Sequence, residues 1–582
     1  MAKKQYESRV QNLVYTLEVG VGAKVLKTLL YIMFMLLLSV LFVATQYSGF
    51  NQMRSMDQAQ LARRFAERGR LNTGYVRPAS IWLLAQNDKL IVPTEAGPRV
   101  RIQDHPDLVN APLYPMVLGT AFRIFRTDFS PATGQKFSPE QWVVIPVNLL
   151  FCFLGALFLY LTGKMLFDAR TSLTAATVYF LSAPVWGNAV AGGELPLALF
   201  LAIFGFWCLV LSLRIARDGG DEPRPNGWRF WLSALGGAAV MGLLFLTRYA
   251  AFAAFPGFLL VLWAGLGRRG WLPTLGALLV FLAVVSPWLT RNMQVSGTLF
   301  GLAPYTVIQD GNDTFLRSMD TNIADLELRR QLQARFLRVV PRALNIGDLS
   351  LGAGLSICLF ISTFFYRFQR PVTRVLRWGL LFSFALLVAT AGIFGEDLLK
   401  VGHIFLPLVL LFGAAFFYIL LDRLQIGVRI VSMAVVTMFI GVQALPMLFT
   451  IMPPRPWSYP PYLARDIAWV STPFAENELI VTDMPWATAW YGGTTSLYLP
   501  VNVDQFFEVH DNLHPVNALY FTTLTRDKRY HSDLVRGAYA TWRPILDLAN
   551  MPRGFPLTFG FPLRQGEQVV LADRNRWIEE GN

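Results

Sequence analysis

Leu108-Val109-Asn110-Ala111-Pro112-Leu113-Tyr114-Pro115-Met116-Val117-Leu118-Gly119-Thr120-Ala121-Phe122-Arg123-Ile124-Phe125 is the run on which the topology of this chain turns. It is apolar enough to pass for a membrane span, but Pro112 and Pro115 break it near its start. It therefore reads as an interfacial or re-entrant helix that does not cross. The charges on either side support that reading. With the N-terminus inside, the short loops on one face carry Lys164 and Arg170, then Arg214, Arg217, Arg224 and Arg229. Arg268 with Arg269, Arg367, Arg370, Arg374 and Arg377, and Arg423 with Arg429 complete the same face. All of these loops are basic, as the positive-inside rule requires of a cytoplasmic side; a crossing at Leu108–Phe125 would invert every one.

The remaining apolar runs of spanning length number about eleven. They fall near Val25–Tyr47, Gln141–Gly163, Thr171–Val190, Glu194–Leu213, Phe230–Leu246, Ala250–Leu266 and Trp271–Leu289. Four more lie near Leu351–Tyr366, Trp378–Phe394, Gly402–Leu421 and Ile430–Ile451. With 54% hydrophobic residues, 15% charged and a mean hydropathy of +0.41, the 582-residue chain is a polytopic α-helical membrane protein. Its net charge of +13 sits in the membrane part. From Pro453 onward there are eleven Lys/Arg against fourteen Asp/Glu, so anchoring and anionic head groups explain the excess and nucleic acid does not. Cys152, Cys208 and Cys358 all lie in apolar runs, which leaves neither a disulfide framework nor a cysteine zinc site. Met1 to Lys27 reads as a retained cytoplasmic tail and signal anchor.

Three segments then face outward: a loop at about 52–140, a loop at about 291–350, and the region after Pro453-Pro454-Arg455-Pro456. Two domains are expected, a transmembrane domain over 1–452 and a small extracytoplasmic α/β domain over 453–582. Strand-like runs at Glu478–Thr482 and Ala518–Thr523 alternate there with helix-like runs at Tyr462–Val470 and Leu534–Leu546.

Chemistry gathers on the outward segments. In Met53-Arg54-Ser55-Met56-Asp57-Gln58-Ala59-Gln60-Leu61-Ala62-Arg63-Arg64-Phe65, helical spacing puts Met53, Asp57, Leu61 and Phe65 on one face. An acid on an apolar stripe needs a partner or a purpose. Asp57 fits an ion pair with Arg54, Arg63 or Arg64, and it fits equally a general base or a metal ligand. Glu194, in Gly192-Gly193-Glu194-Leu195-Pro196, opens a span, where the helix dipole alone favours an acid; it also fits a second carboxylate facing the same cavity. Arg248 interrupts an apolar region. Arg291, in Pro287-Trp288-Leu289-Thr290-Arg291-Asn292, either snorkels or meets a lipid phosphate. In Glu396-Asp397-Leu398-Leu399-Lys400-Val401-Gly402-His403, Lys400 pairs with Glu396 at helical spacing or, with His403, holds an anion. His105, His510, His514 and His531 show no metal-ligand spacing.

The ordered set of an acid in the first outer loop, Pro112-Leu113-Tyr114-Pro115, Glu194, Pro287-Trp288-Leu289-Thr290-Arg291-Asn292 and a late Leu406-Pro407 span resembles the GT-C glycosyltransferase superfamily. Within it the chain resembles the branch of dolichyl-phosphate-mannose protein mannosyltransferases and bacterial aminoarabinose transferases, over roughly Val25 to Ile451. The resemblance implies a multi-pass protein of the inner membrane that moves a sugar from a polyprenyl-phosphate donor to an acceptor (lipid, glycan or protein). Asp57 would be the catalytic base and Glu194 the second acid, with Arg248, Arg291, Lys400 and His403 holding the lipid phosphate. A divalent cation is left open and no other cofactor is implied. The family commonly has Asp-Glu where this chain has Asp57-Gln58, and His-Pro-Pro or Lys-Pro-Pro where it has Asn110-Ala111-Pro112. A lipid or solute transporter and a non-catalytic scaffold are the rival classes. Acids clustered at one face, with no inverted repeat, argue against the transporter.

Overall fold

The computed structural model describes residues 21–94, 97–132, 136–218, 223–304, 315–320, 354–394, 396–451, 462–526, 531–537, 539–546, 551–552, 554–563 and 566–577. The start of the basic N-terminal tail, most of the expected second outer loop and the proline-rich boundary at Pro453–Pro456 lie outside the described residues. The chain divides into two compact units, one of residues 1–47 with 448–456 and the other of 48–447 with 457–582.

In the first unit, α1 (Val21–Gln46) is a 26-residue helix with Leu29, Met33, Phe34, Leu37 and Val40 exposed, as lipid-facing side chains are. It is one of eight helical stretches among the described residues that are long and apolar enough to cross a membrane.

The second unit opens with two helices of the first long loop, α2 (Met53–Arg68) and α3 (Pro78–Gln86), followed by α4 (Leu113–Ile124). At 12 residues α4 spans about 18 Å, well short of a bilayer core, so the run that set the topology does not cross. The bundle follows as α5 (Ile145–Leu166), α6 (Ala169–Phe180), α7 (Ala183–Ala191), α8 (Leu195–Ile215) and α9 (Trp228–Thr247). It continues as α10 (Ala254–Leu266), α11 (Trp271–Ser296), α12 (Gly354–Ser362), α13 (Pro371–Phe394), α14 (Leu406–Arg423) and α15 (Arg429–Ile451). The apolar run Thr171–Val190 forms two helices rather than one. Pro184 has no backbone N–H and restarts the chain as α7 after Ser182.

The C-terminal region is a six-stranded sheet of order β1-β5-β4-β6-β8-β7. Its strands are β4 (Leu479–Thr482), β5 (Thr495–Tyr498), β6 (Val516–Phe521), β7 (Phe559–Leu563) and β8 (Gln568–Ala572), joined by β1 (Tyr75–Val76), while β2 (Ile91–Thr94) and β3 (Gly97–Val100) form a separate antiparallel pair. β1, β5, β4 and β6 are parallel, and β4 is buried along its length, the pattern of a sheet covered on both faces. Helices α16 (Ala464–Ser471), α17 (Pro485–Tyr491) and α18 (Val503–Glu508) alternate with the strands. The helix expected over Leu534–Leu546 is instead three short pieces, with Gly537 and Pro544 between and within them.

β1 comes from the first long loop. Tyr75 pairs with Ser496 and Val76 with Leu497, so this sheet takes its edge strand from residues some four hundred positions earlier. Glu140, in the π-turn that leads into α5, is fully buried. Its Oε1 accepts from Trp490 Nε1 at 2.8 Å and its Oε2 from the Phe50 N–H at 3.1 Å. That carboxylate ties a bundle helix to the C-terminal region. Replacing Glu140 by Ala strands two buried donors, each at a cost of about 1–3 kcal/mol. The expected outcome is a lower thermal unfolding midpoint for the solubilised protein and faster proteolysis of the C-terminal region. An unchanged midpoint would show that the bonds contribute nothing net.

Candidate active site

Helix α2 has far too many polar residues for the position it occupies. Ser55, Met56, Asp57, Gln58, Ala59, Gln60, Leu61, Ala62 and Arg64 are all buried. Gly119 of α4 sits against Ala62 O and Phe65, where a Cβ would come within 2.7 Å of both, so glycine is what lets α4 close on α2. On another side α2 packs against α17, with Arg63 Nη1 on the Trp490 carbonyl at 3.0 Å. The amphipathic stripe expected from spacing is therefore replaced by burial around most of the helix. Met53, on that stripe, is 39% exposed.

A buried charge must be paired. The partner of Asp57 is Arg77, at 2.6 Å between Nη2 and Oδ2, with both side chains 4% exposed. This corrects the expected pairing with Arg54, Arg63 or Arg64. Arg77 stands just before Pro78, which opens α3, so the turn from β1 into α3 aims it back at α2. Asn110 Nδ2 also donates to Asp57 Oδ2, at 3.0 Å, and Gln60 Nε2 to Oδ1 at 3.1 Å. Burial works against the charge on Arg77, but the Asp57 carboxylate outweighs it and holds the guanidinium firmly protonated. Arg64 meets the carbonyls of Thr73 and Gln103 and the Thr495 hydroxyl; burial and the neighbouring arginines bring its pKa down to about 10.

Glu194 lies on the turn between α7 and α8. α7 ends at Gly192 with φ +77, and a Cβ there would overlap the Phe50 ring. Asn148 of α5 donates to the carbonyls of Ala189 and Gly193, and the Tyr114 hydroxyl of α4 lies 2.8 Å from the Gly192 carbonyl. The turn so fixed leaves Glu194 only 2% exposed. Its Oε1 is 2.8 Å from Arg54 Nε and 3.3 Å from Arg248 Nη1. Burial opposes ionisation, yet these two guanidinium groups hold the carboxyl below the usual glutamate range. Arg248 reaches it because α9 stops there, in extended backbone, before the 3-10 turn Tyr249–Ala253.

A third carboxylate was missed as a site residue. Asp107 accepts from the Asn110 N–H at 2.9 Å, and Asn110 Nδ2 bridges towards both Asp107 and Asp57. Burial, then the charge on Asp57, push Asp107 up to about 6, with Arg77 among the groups that offset the rise. Arg291 Nη1 donates to the Asp107 carbonyl at 2.8 Å and stacks over Trp288 at 4.7 Å. The structure thus brings Asp57, Glu194, Arg248 and Arg291 to one end of the bundle, around α2 and residues 105–112. The 3-10 segment Glu396–Phe405, which carries His403, packs on the turn Tyr249–Ala253 that follows Arg248. The side chain of Lys400 lies outside the described residues. Arg77 and Asn110 stand next to prolines in irregular chain and carry no periodic signal. Glu140 could have been found, because it precedes an apolar span just as Glu194 does.

Metal ligation does not suit this donor set. Among the described residues no three His, Cys, Asp or Glu side chains are placed to share a cation. Glu194 already faces two guanidinium groups and Asp57 one, and a divalent cation would have to displace them.

His105 is buried beside these groups. Its Nδ1 lies 2.7 Å from the Arg101 carbonyl and its Nε2 2.6 Å from the Ser80 hydroxyl, which donates to the Arg77 carbonyl at 2.6 Å. Burial lowers its pKa to about 4 from the ordinary 6.5. A neutral buried histidine contributes stability that is present above pH 6.5 and lost as pH falls through about 4. Asp107, raised to about 6, has the opposite sign: its contribution is present below the ordinary carboxyl value and lost as pH rises through 6. The two oppose each other across the same window. In His105→Gln only the second remains, so the difference in unfolding midpoint between wild type and variant falls as pH drops from 6.5 towards 4. Parallel curves would refute the assignment.

Residues 135–290, which contain Glu140, Asn148, Glu194 and Arg248, match the family model described as dolichyl-phosphate-mannose-protein mannosyltransferase. Compared by sequence with curated proteins, the chain matches none. Among solved structures it is similar to the Archaeoglobus fulgidus oligosaccharyltransferase AglB in complex with an inhibitory peptide and a dolichol-phosphate. The identity is 12% and the TM-score 0.53, over 95% of this chain and 75% of that one. The same archaeal enzyme in complex with Zn and sulfate gives a TM-score of 0.51 at 12% identity, over 87% and 70%. ArnT from Cupriavidus metallidurans bound to undecaprenyl phosphate gives 0.45 at 13% identity, over 95% and 99%. The chain has the fold of the GT-C membrane glycosyltransferases and, over residues 135–290, matches the model of their dolichyl-phosphate-mannose-protein mannosyltransferase family, in line with the resemblance read from its sequence.

Proposed function

We propose that this protein transfers a sugar from a polyprenyl-phosphate carrier to an acceptor hydroxyl at the outer face of the membrane, by a single inverting displacement. The observation that carries this reading is the pairing of Asp57 with Arg77, and of Glu194 with Arg54 and Arg248, at one end of the bundle. The basic short loops at the other end support the reading that this end is outside and the N-terminus inside.

Asp57 is the general base. A carboxylate offers about four lone-pair positions, and Arg77, Asn110 and Gln60 use three of them, which leaves one on Oδ1 for the acceptor hydroxyl. The three donors fix the carboxylate, so little orientation is lost when the acceptor arrives. Asp57 is only 3% exposed, which keeps bulk water from the base. As the hydroxyl oxygen attacks the anomeric carbon, its proton passes to Asp57 and the bond from that carbon to the phosphate oxygen breaks. The departing lipid phosphate meets Arg54, whose side chain is 48% exposed, and Arg248; Glu194 holds both guanidinium groups ready for it. Arg291, Lys400 and His403 are further candidates for the same anion. No step needs a metal.

The test is transfer in proteoliposomes, with a panel of radiolabelled polyprenyl-phosphate sugars and native envelope extract. Wild type should move label from one donor, and Asp57→Asn, compared at equal amounts of folded protein, should lose about 10²–10⁴-fold of the rate. Glu194→Gln should weaken donor use more than acceptor use. EDTA should leave the rate unchanged. Transfer undiminished in Asp57→Asn overturns the base assignment, and no transfer from any donor moves the reading to a transporter.

A further inference from the structure

A second polar site lies at the other end of the bundle, a full helix length from Glu194. α5 begins beside the Glu194 turn, where Asn148 holds Gly193, and ends at Leu166 on the wall of an open hollow of about 280 Å³. The hollow lies between the turn joining α5 to α6, the start of α13 and the end of α14.

Its two sides differ in charge. On one side Asp168 caps α6, accepting from the Thr171 N–H at 2.7 Å, and Asp422 ends α14. Arg170 bonds Asp422, lies 3.4 Å from Asp168 and stacks over Tyr418 at 4.7 Å. Two carboxylates against one guanidinium leave that side net negative. On the other side α13 begins at Pro371, so its first N–H groups lack helical acceptors and its positive end meets the hollow. Arg370 stands immediately before it and donates to the Met165 carbonyl at 2.9 Å through Nη1. Thr373, in the first turn of α13, is 1% exposed and lines the hollow, and its hydroxyl has no hydrogen-bond partner among the described residues. A buried hydroxyl left without a partner at a helix N-terminus marks the place of a missing acceptor.

We propose that this hollow binds the headgroup of a zwitterionic phospholipid, its phosphate at Thr373, Arg370 and the start of α13, and its ammonium at Asp168 and Asp422. The sign of each side matches one end of such a headgroup, whereas an anionic headgroup would leave the acidic side unanswered. A lipid is the source because the flanks are apolar and bare. Phe365, next to Tyr366 of the hollow, is 92% exposed, and Leu424, two residues past Asp422, is 70% exposed. Such side chains belong among acyl chains and the interface.

Native mass spectrometry of the delipidated full-length protein tests this, with phosphatidylethanolamine, phosphatidylglycerol and inorganic phosphate as probes. One phosphatidylethanolamine should saturate the wild type, with phosphatidylglycerol weaker and inorganic phosphate not competing. Thr373→Val, which swaps the hydroxyl for a methyl group, should weaken that adduct about tenfold, the loss expected for a hydrogen bond to a charged group. Asp422→Asn, at a side chain that is 56% exposed, should erase the preference between the two lipids. Equal binding of the two lipids by wild type, displacement by inorganic phosphate, or unchanged preference in Asp422→Asn would each overturn the proposal.

Discussion

The constraint on which this architecture rests is the burial of a polar helix. Residues 53–68 carry Asp57, Gln58, Gln60 and Arg64 into the interior, where an unpaired charge costs several kcal/mol. The demands of Asp57, Gln60 and Arg64 are met from different parts of the chain. Arg77 and Asn110 answer from the same long loop, Thr495 from the C-terminal sheet, and the Trp490 carbonyl receives the neighbouring Arg63. The first loop, the bundle end and the sheet are thus held in one compact unit by the need to satisfy one helix. Removing a single member would leave its partner buried and charged, which is why such networks hold their geometry.

In the proposed mechanism the same network separates two roles that a lone carboxylate could not combine. Asp57 and Glu194 are both buried acids, yet their surroundings differ. Asp57 keeps one acceptor position beyond its three donors. Glu194 is enclosed by cations, one of which is half exposed. The first arrangement suits proton acceptance and the second suits holding a pair of guanidinium groups for an anion. Specialisation here comes from neighbours rather than from the acids themselves.

Much of this was legible in the sequence because lipid imposes a simple code. Apolar runs such as Leu195–Ile215 and Leu406–Arg423 can only be helices, and Pro112 and Pro115 stop α4 short of a span. Asp57 and Glu194 stood out because acids are rare beside such runs. What could not be read was partnership across distance. Arg77 lies twenty residues from Asp57 and Trp490 three hundred and fifty from Glu140, with nothing in spacing or composition to join them. The short β1 was likewise invisible, since two residues carry no periodicity and only their pairing with Ser496 and Leu497 makes them a strand.

That pairing has a consequence for how the chain is made. β1 emerges early, while its neighbour β5 follows only after the whole bundle has been synthesised. At about 5–20 residues per second the first loop waits some 20–80 seconds for its edge. Through that interval Arg64 lacks Thr495 and the α2 surface that will face α17 stands open. The buried helix is therefore completed last although it is made nearly first, and insertion of the bundle must proceed with this loop still unsealed.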